Sequence, residues 1–128
     1  MAVIGTNSAT ELDKRALAGD DLSGDDYMAL VQSKNVEAKV AAAGRQDAPM
    51  GALIAFSQDR KVEVRVAVAK NVGIARSTTL GAALVADRAV EVALALVENP
   101  AIDDSLIGQI ATEGHKGARA AATERLAS

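Results

Sequence analysis

The stretch VEVRVAVAKN, residues 62–71, decides how the fold is interpreted because it fits two kinds of secondary structure. Valine alternates with other residues over the first part of the stretch, which taken alone favours a β-strand. A sister stretch, VEVALALVEN, follows at residues 90–99. The conformation of both therefore depends on whether the chain is built from repeated units.

The chain does repeat itself along most of its length. Four segments align column by column, and a fifth, KRALAGDD (14–21), shares part of the pattern. Successive copies start 24, 26, 28 and 26 residues apart, a spacing typical of proteins in which each unit stacks on the next. The four clear copies are AKVAAAGR (38–45), VRVAVAKN (64–71), VALALVEN (92–99) and ARAAATER (118–125).

Units that stack on one another share one conformation, so the alanine-rich copies decide between strand and helix. Alanine is the best helix former and a poor strand former, whereas valine costs only a few tenths of a kcal/mol in a helix. Wound as a helix, residues 62–71 place Glu63 and Lys70 on one narrow polar stripe and leave most of the remaining circumference apolar. We therefore predict a helix here, with Glu91 and Glu98 on the matching stripe of the sister segment.

Residues at the segment ends support helices joined by short links. TELD (10–13) resembles a capping box and predicts a first helix over about 11–18. Asn71 and Asn99 are expected to end their helices, since asparagine tolerates the left-handed conformation. Six residues are expected to cap helix starts or to add an acid to the first turn: Ser33, Asp59, Asp87 and Glu113 for the first helices, and Ser77 and Ser105 for the second.

These patterns predict an all-α domain. After each segment except the last, a polar or proline-bearing link leads to a second apolar run, such as PMGALIAFSQ (49–58). The prediction is an α-solenoid of about four helix-turn-helix repeats of 24–28 residues, closed by a C-terminal capping helix at about 116–127. It spans 10–128 as one domain, after a flexible tail over 1–9.

The third and fourth units resemble the leucine-rich repeat variant, a bacterial relative of HEAT-like repeats. The resemblance lies in an acid (Asp59 or Asp87), the runs VRVAVA (64–69) and VALALVE (92–98), and Asn99 before Pro100. Ala93 and Val72 depart from the pattern, where the family has arginine and proline. The resemblance implies a right-handed superhelix in which the second helices can be short or 3₁₀. Such folds bind proteins or nucleic acids, so the fold alone does not define a function.

One column of the repeat carries positive charge: Arg15, Lys39, Arg65 and Arg119. On the helix wheel Arg65 lies away from the polar stripe, so its charge needs a partner or a wet groove. One hypothesis is a ladder between units, in which Arg65 bridges Asp59 and Asp87, and Arg119 meets Glu113. The other hypothesis is a basic, ligand-facing groove to which Arg76 also belongs.

The composition argues against several classes of enzyme and metal protein. The chain has no cysteine, and His115 is its single histidine, so thiolate chemistry is excluded and no metal or catalytic set is apparent. The paired carboxylates of GDDLSGDD (19–26) and 103–104 fit helix starts, with loose contact to a divalent ion or a basic partner as the alternative. We expect no enzyme activity and no cofactor.

Three functions then compete. The first is a protein-binding scaffold that uses the surface of its second helices, including Met50, Arg76, Thr78 and Asp104. The second is a nucleic-acid-binding domain that uses Lys39, Arg65, Arg76 and Arg119, although a net charge of −3 and 2% aromatic residues argue against it. The third is a structural protein that forms homo-oligomers by end-to-end stacking. We expect a cytoplasmic protein, with neither a signal peptide nor a membrane span.

Overall fold

The computed structural model describes residues 9–128, and within that range the chain is all-α, without a β-strand. Residues 1–8, which make up most of the predicted N-terminal tail, lie outside the described residues. The described part contains nine α-helices and one 3₁₀ helix, Val72–Arg76. The α-helices are α1 Glu11–Ala18, α2 Gly24–Val31, α3 Val36–Ala43, α4 Met50–Phe56, α5 Val62–Lys70, α6 Thr78–Val85, α7 Val90–Glu98, α8 Asp104–Glu113 and α9 Lys116–Ala127.

The odd-numbered helices pack in chain order, α1 on α3, α3 on α5, α5 on α7 and α7 on α9. α2, α4 and α8 pack against both odd-numbered helices beside them in sequence, whereas α6 packs mainly on α7; α2 also packs on α4, and α6 on α8. We call α1–α2, α3–α4, α5–α6 and α7–α8 the four helix pairs, with α9 as the single last helix. The segments between pairs, 32–35, 57–61, 86–89 and 114–115, are named the inter-pair links.

The stretch that opened the question is a helix, as the repeat predicted. Its residues form α5, in which Val64 and Val68 are fully buried while Glu63 and Lys70 are exposed. Glu91 and Glu98 are likewise exposed on α7. Burial on most sides explains why valine is acceptable here, because the hydrophobic gain from packing exceeds its small helix penalty.

Small residues dominate the contacts between the odd-numbered helices. Ala38, Ala42 and Ala43 of α3 and Ala69 of α5 are completely buried, as is Ala118 of α9. Side chains of this size let helix axes approach closely, near the short end of the usual 8–10 Å separation. Bulkier core residues come from the even-numbered helices, including Leu30, Leu53, Phe56, Leu84 and Ile107.

The predicted helix starts are partly confirmed. Thr10 forms a capping box with Asp13 at the start of α1, Ser77 caps α6, and the last helix starts at Lys116. The prediction for Ser105 is wrong: the cap of α8 is Asp103, whose Oδ1 accepts a hydrogen bond of 3.1 Å from the amide of Leu106. Asp103 follows a buried Ile102 and precedes the polar start of the helix, so it occupies the favoured cap position.

The second helices are α-helical over 7 to 10 residues, and 3₁₀ geometry is confined to Val72–Arg76, in the link of the third pair. This link holds the extra residues of the third unit. The even-numbered layer is weakened here, since α6 packs on the 3₁₀ helix and contacts α4 less than α2 contacts α4 or α6 contacts α8. Elsewhere the layer is close: at Gly81 of α6 an added Cβ would lie 2.6 Å from Leu106 of α8.

Candidate functional site

The inter-pair links contain a repeated turn just before α3, α5 and α7. Asp59 Oδ1 accepts a hydrogen bond of 2.9 Å from the amide of Lys61, and Asp87 Oδ1 accepts one of 2.9 Å from the amide of Ala89. Ser33 Oγ accepts from the amide of Asn35 at 3.0 Å. Asp59, Asp87 and Ser33 therefore order the link two residues before the cap, whereas our prediction placed them at the cap or in the first turn. The residues at the cap are Asn35, Lys61, Ala89 and, before α9, His115.

The same aspartates receive cations from the preceding helix pair. Lys39 Nζ lies 2.7 Å from Asp59 Oδ2, and Arg65 Nε lies 2.8 Å from Asp87 Oδ2. All four side chains are 10% to 12% exposed, so these ion pairs are far less screened than surface pairs. We call these two contacts the ion-pair row.

Arg65 makes the most extensive contacts of the cationic column. Besides Nε, its Nη2 donates to Asp87 Oδ1 at 3.3 Å, so the carboxylate is held at both oxygens. Its Nη1 donates to the backbone carbonyls of Asp59 at 2.9 Å and Arg60 at 3.2 Å. Arg65 thus spans Asp59 and Asp87, but it reaches Asp59 through the main chain and leaves that carboxylate to Lys39.

The other members of the column are placed differently. Arg15 stays within its own helix pair, 3.5 Å from Asp26 Oδ2, and donates to the carbonyl of Asp21 at 2.7 Å. Arg119 is exposed and has no salt bridge to Glu113 or to any other acid within residues 9–128.

Asp13 and Arg76 complete the description of the predicted residues. Between the first and second helix pairs, the contact to the link residue comes from a buried acid instead of a cation. Asp13 Oδ1 accepts a hydrogen bond of 2.6 Å from Ser33 Oγ. Arg76 is exposed and donates to the carbonyls of Gly73 at 3.0 Å and Ala48 at 3.2 Å, which ties the third pair to the link of the second.

A second row of contacts lies at the other end of the odd-numbered helices. Buried Asn71 donates from Nδ2 to the carbonyls of Ala43 at 2.8 Å and Arg45 at 2.7 Å. Buried Asn99 donates in the same way to the carbonyls of Ala69 at 2.8 Å and Asn71 at 3.1 Å. Each asparagine thereby satisfies carbonyl groups at the helix end of the preceding pair, which have no partner within their own helix.

Arginine fills the equivalent position at both ends of this row. Arg45 donates from Nη2 to the carbonyl of Ala16 at 2.9 Å. Arg125 donates from Nη1 to the carbonyls of Val97 and Asn99, both at 2.8 Å. We call Arg45, Asn71, Asn99 and Arg125 the carbonyl row.

Asn71 and Asn99 end α5 and α7, as predicted, but not in the left-handed conformation that we gave as the reason. Asn71 has φ −74° and ψ 123°, and Asn99 has φ −84° and ψ 112°, both extended. In the described range Gly19, with φ 80°, is the single residue at positive φ. The sequence contained a clue, since asparagine and arginine share side-chain N–H donors, and their alternation in one column fits a common acceptor.

Two acidic side chains of α2, Asp26 and Tyr27, have pKa values shifted away from their ordinary ones. Burial of the ring and its hydrogen bond of 2.7 Å to Asp47 Oδ1 raise the pKa of Tyr27 to about 12. The hydrogen bond from the amide of Ser23 lowers the pKa of Asp26, and Arg15 adds to this effect. Both shifts follow from hydrogen bonds that fix α2, at its start through Ser23 and against the next link through Asp47.

Chemistry-bearing residues are dispersed in this structure. Residues 9–128 contain no group of three or more histidine, cysteine, aspartate or glutamate side chains arranged to hold a metal ion. His115 lies at the start of α9, and its Nε2 is 3.1 Å from the carbonyl oxygen of Asp87. This contact joins the inter-pair link 114–115 to the inter-pair link 86–89. Among the helices of the described range, none is long and apolar enough to cross a bilayer.

Three shallow depressions lie between successive inter-pair links. One is bounded by Lys34 and Lys61, the next by Arg60 and Arg88, and the third by Arg88 and His115. Their linings overlap, since Arg60 borders the first two and Arg88 the last two. The links therefore lie side by side on one face of the molecule.

No family model, curated protein or solved structure matches this chain. Its resemblance to leucine-rich repeat variants accordingly depends on the residues of the third and fourth units alone. A functional assignment must come from the surface that the two rows of contacts leave available.

Proposed function

We propose that the chain is a right-handed α-solenoid of four helix pairs and a closing helix, and that it is a non-enzymatic, cytoplasmic scaffold that binds another protein. The observation that carries the proposal is the carbonyl row, in which four equivalent positions fasten each odd-numbered helix to the one before it. Stacked repeats build an extended binding surface by making the same contact between each unit and the next.

The surface formed by the second helices of the pairs is the candidate for a protein contact. α4 (MGALIAF) and α6 (TTLGAALV) contain no charged residue, and Ile54 is 44% exposed. Of the residues predicted for this surface, Arg76, Thr78 and Asp104 are exposed and Met50 is partly buried. Surfaces low in charge with a polar rim are typical of protein interfaces.

Two observations favour a protein partner over nucleic acid. Lys39 and Arg65, which the nucleic-acid hypothesis needs, are engaged in the ion-pair row. Tyr27 and Phe56, the two aromatic residues, are 1% and 0% exposed. Neither aromatic side chain is therefore accessible for stacking on a nucleic-acid base.

The end helices favour a scaffold over a filament. α1 exposes Glu11, Lys14 and Arg15, and α9 exposes Arg119 and Thr123. Polar outer faces of this kind cap a stack of repeats and keep it soluble. Leu17 and Leu126, at 48% and 41% exposure, are isolated among these polar residues.

Capture of partners from a native extract, followed by reconstitution from purified components, tests this function. The immobilised wild-type chain is compared with Ile54→Asp, which adds a charge to the uncharged surface, and with Thr112→Asp as a matched control on exposed α8. We expect a protein, resistant to nuclease treatment, that binds wild type and Thr112→Asp but is weakened by Ile54→Asp. Retention of nucleic acid alone would contradict the proposal.

A further inference from the structure

The inter-pair links carry an excess of uncompensated positive charge. The acids of these links, Asp59 and Asp87, are neutralised by Lys39 and Arg65 inside the ion-pair row. Four exposed cations of the same links have no salt bridge within residues 9–128. We name them the cationic face: Lys34, Arg60, Lys61 and Arg88.

The cationic face is a narrow strip rather than a broad patch. Glu37, Glu63 and Glu91 follow in the first turns of α3, α5 and α7, are exposed, and do not line the depressions. Glu113 lines the third depression and so ends the strip near Arg88. A thin row of positive charge beside a row of acids attracts a slender anion and repels a wide one such as a duplex.

The spacing of the strip is set by the packing of the odd-numbered helices. Each inter-pair link precedes one of these helices, and packed helix axes are about 8–10 Å apart. An extended polyproline II segment advances about 9 Å per turn of three residues and places every third side chain on the same side. Acidic residues at every third position would therefore meet one link each.

We propose that the cationic face binds an extended acidic segment of a partner protein, with carboxylates at about every third residue. This inference rests on the proposed protein-binding function and assigns one class of ligand to a surface distinct from the second helices. A single-stranded nucleic acid is the competing polyanion, but the strip contains no aromatic residue to stack its bases. Charge pairing at solvated sites predicts fast, salt-sensitive binding.

The test measures binding of a labelled peptide that repeats Glu-Pro-Pro, at about 50 mM salt, where surface charges are only partly screened. The comparison peptide has the same composition but its glutamates are clustered at one end. The variant is Arg60→Gln/Arg88→Gln, and the matched control is Lys70→Gln/Arg119→Gln, which removes two exposed cations elsewhere. Thermal unfolding by circular dichroism checks that both variants remain folded.

We expect the periodic peptide to bind more tightly than the clustered one, and the Arg60/Arg88 variant to weaken it about tenfold. The control variant should change the affinity less than about twofold. Equal loss in both variants, or equal binding of both peptides, would refute a specific strip. Tighter binding of an oligothymidylate, equal competition by inorganic phosphate, or self-association abolished by Arg60→Gln/Arg88→Gln would assign the face to nucleic acid, small anions or a second copy instead.

Failure here is distinguishable from failure of the scaffold function. If a reconstituted partner binds Arg60→Gln/Arg88→Gln as tightly as wild type, the cationic face is not its site and the scaffold function stands. If the periodic peptide binds as expected but no protein partner is recovered, the scaffold function is contradicted and the chemistry of the face stands.

Discussion

The two rows that join successive helix pairs differ in what they require of the sequence. The carbonyl row needs one donor per pair, because its acceptors are backbone carbonyls that every residue provides. The ion-pair row needs an acid and a cation from different pairs, and it exists at two junctions, Lys39–Asp59 and Arg65–Asp87. A contact that relies on the main chain therefore survives sequence divergence better than one between two side chains.

The largest effect should come from Asn99→Leu. The substitution leaves the carbonyls of Ala69 and Asn71 without their side-chain donor in a buried site, and we expect a loss of about 3 kcal/mol in the free energy of unfolding. Urea unfolding followed by circular dichroism measures it. Gln32→Leu, at an exposed amide, is the control; equal losses in the two variants would show that the carbonyl row contributes nothing particular.

Arg65→Met should cost less, about 2 kcal/mol, because Asp87 keeps its hydrogen bond from the amide of Ala89 and some contact with water. A double-mutant cycle with Asp87→Asn isolates the coupling between the two side chains. A cost above that of Asn99→Leu would reverse the order of importance that the comparison assigns to the two rows.

Ala93→Arg introduces into α7 the cation that Lys39 and Arg65 provide at the equivalent positions of α3 and α5, and we expect it to destabilise by about 1–2 kcal/mol. Ala93 is 1% exposed, and Glu113, the acid in the corresponding position, is exposed at the end of α8 rather than within an inter-pair link. The new guanidinium would be crowded and without a buried partner. Thermal unfolding measures the change, and a raised midpoint would mean that the missing contact can form.

The smallest effect at neutral pH concerns the link of the second pair, which Tyr27 holds through Asp47. Because burial raises the pKa of Tyr27 from its ordinary value of 10.0 to about 12, the folded state retains its proton where the unfolded chain loses it. Stability is complete below about pH 10 and falls as the pH rises towards 12, by at most about 1.4 kcal/mol per pH unit. Tyr27→Phe should flatten this decline in urea unfolding across that range; an unchanged slope would assign the decline to other groups.

The sequence predicted the helices more completely than it predicted their contacts. Columns of alanine and valine indicate helix and burial because these depend on residue type and local period, as α5 and α9 show. The column of asparagine and arginine hints that Asn71 donates to a shared kind of acceptor, but which residues accept could not be predicted, since every residue carries a main-chain carbonyl. The mismatch at Glu113 has a different cause: α8 continues through this residue, and a link of two residues leaves no room for the aspartate turn.

The weakening of the even-numbered layer at Val72–Arg76 has a consequence for how the chain unfolds. Across this point α4 and α6 contact each other less than α2 contacts α4 or α6 contacts α8, so the halves are coupled mainly through the contacts of α5 with α3 and α4. In a linear array, cooperativity depends on nearest-neighbour coupling, and the weakest junction sets where it divides. Amide hydrogen exchange should then resolve two subglobal opening units, one before α5 and one from α5 onward, with the boundary at the third pair.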